Sequence, residues 1–200
     1  MGDLNYCVVV FFLYNKNKIS DKKGDQVKTQ QKGLRKVDIG CKSITDNVFR
    51  LISNDCFLFT AGNLKKWNTM TAGWGEFGYL WNKYIVTGFV RPQRYTYRFI
   101  EKNKYFTFCF FEKKYEKALL FCGEHSGRDY DKAKKTGLTP VPTKLGNVYF
   151  KEACLVIECR KIYYQDLDPK KFLDRSIKAL YRKHDYHRMY IGEIINCYMK

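Results

Sequence analysis

Three short clusters in this chain carry the groups that hold a phosphate. The run NTMT (68–71) offers two hydroxyls and an amide, RPQRYT (91–96) two guanidiniums and a hydroxyl, and SGRD (126–129) one of each. The second and third stand where helices are expected to begin, and a helix start favours an anion through its free N–H groups and its dipole. Guanidinium–phosphate bonds are charge-assisted and often bidentate. If the clusters converge, they can hold a phosphorylated small ligand, with nearby aromatic side chains covering its ring. Each run serves equally well as ordinary capping and turn chemistry, and spacing does not choose between the two.

Other chemistry is less well supported. Gly73-Trp74-Gly75-Glu76-Phe77-Gly78 fits the dinucleotide fingerprint G-x-G-x-x-G, but only five residues separate it from the next expected strand. That leaves no room for the helix whose N-terminus would hold a pyrophosphate, and no acidic residue follows at the ribose-binding distance. The triple glycine reads as a tight loop. Cys122 and His125 lack a third group to orient them as nucleophile and base. His184 and His187 have no further ligands nearby, so no metal is expected. Basic residues interleave with aromatics in RPQRYTYRF and RKHDYHRMYIGE, which suits stacking on nucleic acid, yet the same pattern describes solvated lysines over an aromatic core. Neither a nucleic-acid nor a membrane partner is expected.

The totals agree with a phosphate-bearing ligand without requiring one. The chain has 200 residues, with 37 Lys and Arg against 20 Asp and Glu, a formal charge of +17. Such a balance attracts anions of many kinds. Eight cysteines show no C-x-x-C pair, and several sit in apolar runs such as FTFCFF, so free buried thiols in a reduced, cytoplasmic protein are expected. The apolar run at residues 7–14 is too short to span a bilayer and lacks a basic leader.

The elements that would position the clusters can be read from periodicity. Residues 1–36 form an expected flexible extension, its lysine-rich stretch 15–36 having little to bury. The domain is expected over 37–200. Strands are predicted at 56–63, 68–74, 84–90 and 105–111, then one or two across 147–165, and a last one in RMYIGEIINCYM. Helices are predicted in TDNVFRLISND, after Pro92, in EKKYEKALLFCG and RDYDKAKKTG, and in DPKKFLDRSIKALYRK. Many strand-to-strand connections lack a helix. That favours an antiparallel, barrel-like α+β fold over a doubly wound parallel sheet.

The stretch NTMTAGWGEFGYLWNKYIVTGFVRPQRYTYRFIEKNKYFTFCFF, with FCGEHSGRDYDKAKKTGLTPV, QDLDP and DYHRMYIGEI, resembles the flavin reductase-like family of flavoredoxin type over residues 37–200. The resemblance implies an FMN-binding split barrel, an antiparallel Greek-key β-barrel with flanking helices that forms a homodimer. It places Asn68, Thr69, Met70 and Thr71 along the isoalloxazine ring and ribityl chain, with Trp74 at the end of that strand. Arg91, Arg94, Tyr95 and Thr96 would lie near the ribityl phosphate. Ser126, Arg128 and Lys132 would add contacts to phosphate or ring, and His187 would approach from the C-terminal strand. Gly73 departs from the family, where a serine is expected. The implied activity is NAD(P)H-dependent reduction of flavin or a small acceptor through FMN, with no catalytic side chain required. The alternative is a flavoredoxin-like carrier that exchanges electrons with a redox protein partner.

Overall fold

Alternation along the strands sets the architecture. The computed structural model describes residues 33–38 and 44–200, which form ten strands. These are β1 (Arg35–Val37), β2 (Phe57–Asn63), β3 (Lys66–Ala72), β4 (Gly75–Leu80), β5 (Lys83–Val90), β6 (Tyr105–Phe110), β7 (Pro140–Pro142), β8 (Val148–Phe150), β9 (Leu155–Asp166) and β10 (Arg188–Met199). In β2 and β6, Phe57, Phe59, Phe106, Phe108 and Phe110 face one side, while Leu58, Thr60, Thr107 and Cys109 face the other. Both faces are buried, so the pattern reads as an unbroken apolar run.

Eight strands join in one antiparallel sheet, ordered β3-β2-β6-β9-β10-β5-β4, with β1 also pairing with β10. One face supplies a single cluster that includes Phe57, Phe59, Val86, Phe106, Phe108, Ile157 and Tyr190, so the sheet curls around it. Barrels curl in this way. The sheet does not close, and β3 and β4 are its two ends. The rings of Phe57 and Phe108 lie 4.1 Å apart, and that of Phe59 meets Phe108 edge-on at 4.7 Å. Truncating any of these to alanine would cost roughly 3–5 kcal/mol. Gly192 makes room for this layer, since a Cβ there would stand 2.3 Å from the Phe106 ring.

Four α-helical segments flank the sheet among the described residues. They are α1 (Val48–Arg50, continuing as a wider turn to Asp55), α2 (Tyr95–Lys102), α3 (Glu116–Glu124) and α4 (Lys132–Thr136). Helix α3 covers the outer face, with Ala118, Leu119 and Cys122 packed on Leu58, Cys109 and Val156. Helix α4 ends on Gly137 at φ +73°, the left-handed closure expected of a glycine there.

Several sequence expectations change. The triple-glycine stretch is no tight loop: most of it is edge strand β4, joined to β5 by Trp81 and Asn82 at positive φ. Both central residues of such a two-residue hairpin turn adopt that conformation. The segment DPKKFLDRSIKALYRK forms no α-helix, only two short 3-10 pieces, Pro169–Lys171 and Arg175–Leu180. The Asp168 and Asp174 carboxylates each accept from the backbone N–H two residues on, so each aspartate starts its own turn. Strand β1 lies partly within the stretch read as flexible extension, and residues 1–32 are outside the described residues.

Candidate functional site

Edge strand β3 holds the first cluster, and its side chains divide between the two faces of the sheet. Asn68 and Met70 face inward. Asn68 Nδ2 donates to Thr96 Oγ1 at 2.8 Å, which joins β3 to the first turn of α2. Thr69 and Thr71 face outward, and their hydroxyls are used within the protein. Thr69 donates to Phe59 O at 3.3 Å and lies 2.7 Å from the Thr60 hydroxyl, while Thr71 donates to Leu119 O. The loop Ser126–Gly127–Arg128 closes over Asn68. A Cβ at Gly127 would stand 1.9 Å from Asn68 Oδ1, so only glycine allows this approach.

Two cations meet at the C-terminal end of α3. Arg94, directly before α2, donates to Gly123 O at 2.6 Å. Lys132, the first residue of α4, donates to Cys122 O and to Thr69 O, both at 2.7 Å. Carbonyls at a helix C-terminus are a natural seat for cations. Neither group forms an ion pair among the described residues, although Lys132 is only 5% exposed. Burial lowers the Lys132 pKa to about 8, with Arg94 contributing to the drop and Cys122 opposing it. Burial, then the Arg91 charge, likewise works against the charged form of Arg94. The Thr96 hydroxyl accepts from Asn68, and the Ser126 hydroxyl accepts from the Arg128 backbone N–H at 3.2 Å. Arg128 is exposed, with its guanidinium 4.8 Å from the centre of the Tyr95 ring.

Arg91 goes elsewhere. It donates to Asp185 Oδ2 at 2.7 Å and to Leu180 O at 2.9 Å, and it lies over the Tyr181 ring. Burial raises the Asp185 pKa, but bonds from Arg91 and Gln93 outweigh it and hold the carboxyl below its usual range. Arg91 is thus paired with a carboxylate, whereas Arg94 and Lys132 have no such pair among the described residues. Its neighbour His187 sits just before β10, against Trp74 at 4.8 Å between ring centroids. Burial and the Arg91 cation bring the His187 pKa down to about 3, so the imidazole is neutral at ordinary pH.

The structure therefore brings Asn68, Thr69, Arg94, Tyr95, Thr96, Ser126, Arg128 and Lys132 together, and Trp74 with His187. Sequence reasoning missed Tyr181, which bonds His187, and Asp185, which occupies Arg91. Both lie in the segment read as a helix and its continuation, and no local signal marks them. The Cys122 thiol is buried and pushed up to about 11, which removes it as a nucleophile. A cleft of about 480 Å³ beside α1, lined by Arg50, Asp55, Glu112 and Glu116 among others, shares no residue with these clusters.

The donor set is suited to a phosphate: a buried lysine and a half-buried arginine with no ion pair among the described residues, two hydroxyls, and a glycine loop packed close on Asn68. Residues 52–200 match the family model described as the flavin reductase like domain. The chain belongs to this family. Two flavoredoxins share the family fold. That of Methanosarcina acetivorans is 24% identical with a TM-score of 0.57, covering 73% of this chain and 68% of its own. That of Desulfovibrio vulgaris (Miyazaki F) is 23% identical with a TM-score of 0.58, covering 80% and 76%. The FMN-binding protein of Thermus thermophilus with bound p-hydroxybenzaldehyde is 15% identical with a TM-score of 0.59, covering 72% and 71%. Compared with curated proteins, the chain matches none.

Proposed function

We propose that this member of the flavin reductase-like family binds FMN and uses it as an NAD(P)H-dependent oxidoreductase, reducing flavin or a small acceptor. The observation that carries the reading is the pair of a buried Lys132 and a half-buried Arg94, two cations beside edge strand β3 that form no ion pair among the described residues. A phosphate monoester supplies the missing negative charge. Arg94, Lys132, Ser126 and Thr96 would hold the phosphate, and Arg128 would screen it from solvent. The unpaired edge of β3, at Asn68–Thr71, would orient the ring system, and Trp74 with His187 would border it. FMN supplies the hydride chemistry, accepting two electrons from a reduced nicotinamide and passing them on. The chain contributes position, exclusion of water and charge, and no side chain acts as acid or nucleophile. The protein is taken to act as a homodimer, in keeping with the open sheet and its two end strands β3 and β4.

The electron-carrier reading is supported by the likeness to two flavoredoxins. One experiment separates the alternatives. Purified protein is saturated with FMN, its visible spectrum is recorded, and NADPH and then NADH are added without oxygen. Bleaching by either nucleotide at a catalytically useful rate supports the reductase. A flavin that binds but bleaches only with a reduced redox protein supports the carrier. Failure to bind FMN rejects both.

A further inference from the structure

Tyr181 stands at the end of the 3-10 turn Arg175–Leu180, in a segment that is mostly exposed, yet it is itself only 3% exposed. Its ring stacks on Phe172 at 5.8 Å and packs against Tyr186 at 5.0 Å, with the Arg91 guanidinium 5.2 Å from its centre. Its hydroxyl lies 2.9 Å from His187 Nδ1. That contact decides which imidazole nitrogen carries the proton. Among the described residues the Tyr181 O–H has no other acceptor, and a buried donor left unmade is costly. If Nδ1 were protonated, it would donate to the phenol oxygen and leave that O–H without a partner. The hydroxyl must therefore donate to Nδ1, and in a neutral ring the proton then sits on Nε2.

We infer that Tyr181 is a positioning residue that fixes His187 as the Nε2–H tautomer, a neutral hydrogen-bond donor to an acceptor oxygen on a ligand bound beside Trp74. The ligand class follows from the donor. A carbonyl, carboxamide or carboxylate oxygen is accepted at this point, and a donor such as an amine or ammonium is not. Burial and two of the three charges facing the ring keep it in its neutral form. Arg91 and Arg94, from the segment after β5, disfavour the imidazolium, and Asp185, which opposes them, is already paired with Arg91. The ligand half of this inference rests on the flavin reading; the tautomer half does not.

The test begins with the flavin-free protein. Long-range proton–nitrogen correlation spectra of the three histidines are recorded from pH 5 to 8, with His187→Gln used to assign the His187 signals. The expected pattern for His187 is a protonated Nε2, an unprotonated Nδ1 and no titration. Tyr181→Phe keeps the ring stacking and removes the hydroxyl, so His187 should then populate both tautomers. A protonated Nδ1 in the parent protein, or an unchanged pattern in Tyr181→Phe, overturns the inference. The ligand half is then read with p-hydroxybenzaldehyde titrated into FMN-loaded protein. Tyr181→Phe should bind it about five- to tenfold more weakly at unchanged FMN affinity, the loss of roughly one hydrogen bond. Equal affinity in both proteins overturns the donor role, while a protein that takes up no FMN sinks the flavin reading and leaves the tautomer result standing.

Discussion

Lys132 allows the phosphate assignment to be tested through pH. Its Nζ is held 2.7 Å from two carbonyl oxygens, and burial lowers its pKa to about 8 from an ordinary 10.5. Between those two values the folded protein binds fewer protons than the unfolded chain. Stability of the flavin-free protein therefore rises with pH from about 8 to about 10 as the charged form stops being required. A bound phosphate changes the sign of the environment, because an anion beside the amine favours ammonium and draws its pKa back up. Binding of FMN must then take up a proton above pH 8.

The size of the effect follows from the shift. At pH 9.5 only about 3% of flavin-free molecules would carry a charged Lys132, so FMN affinity should fall roughly thirty-fold between pH 7 and 9.5, about 2 kcal/mol. Flavin fluorescence quenching, titrated with FMN and with riboflavin in matched buffers, reads this directly. Riboflavin lacks the phosphate and should show little slope over the same range. Lys132→Met keeps most of the side-chain volume, and it should weaken FMN binding at pH 7 and abolish the extra slope. If riboflavin shows the same slope as FMN, or Lys132→Met retains it, Lys132 does not face the phosphate and the reasoning fails.

Arg94→Ala should weaken FMN by tenfold or more while leaving riboflavin within about twofold, since a guanidinium–phosphate bond is charge-assisted; equal losses would take Arg94 out of the phosphate site. Gly127→Ala would force a Cβ to 1.9 Å from Asn68 Oδ1 and break the Asn68–Thr96 bond. It should cost about 1–3 kcal/mol in urea unfolding as well as flavin affinity, and an unaltered midpoint would show that the loop moves freely. Glu158 is fully buried, with Oε2 bonded to Asn196 at 2.8 Å and Oε1 without a partner among the described residues. Glu158→Gln removes the carboxylate at nearly constant volume and should raise stability by about 1–3 kcal/mol; a lowered midpoint would mean that the charge is compensated in the folded protein.

The sequence carried the strands well where burial on both faces left long aromatic and β-branched runs, as in β2, β6 and β9. It carried β4 poorly. Two of that strand's six residues are glycine and most of the rest face solvent, so no apolar period marks it, and its identity depends on pairing with β5. The segment from Asp168 to Leu180 failed for the opposite reason: its periodicity suits a helix, but two aspartates bond their own backbone and divide it.

The candidate site shows the same limit more sharply. Arg91 and Arg94 are three residues apart in one motif, and nothing local distinguishes them. What separates them is Asp185, 94 positions further along the chain, which meets Arg91 and leaves Arg94 with only a carbonyl. Residue types and spacing can collect the groups able to bind an anion, but they cannot subtract those whose charge the fold has already matched. Binding potential lies in what remains after that subtraction, and here the remainder is Arg94 with Lys132. Their helix-end carbonyls orient the two cations without neutralising them, because carbonyls offer partial charge and no net charge. The unmatched charge, more than the motif that contains it, is the physical basis for expecting a phosphate.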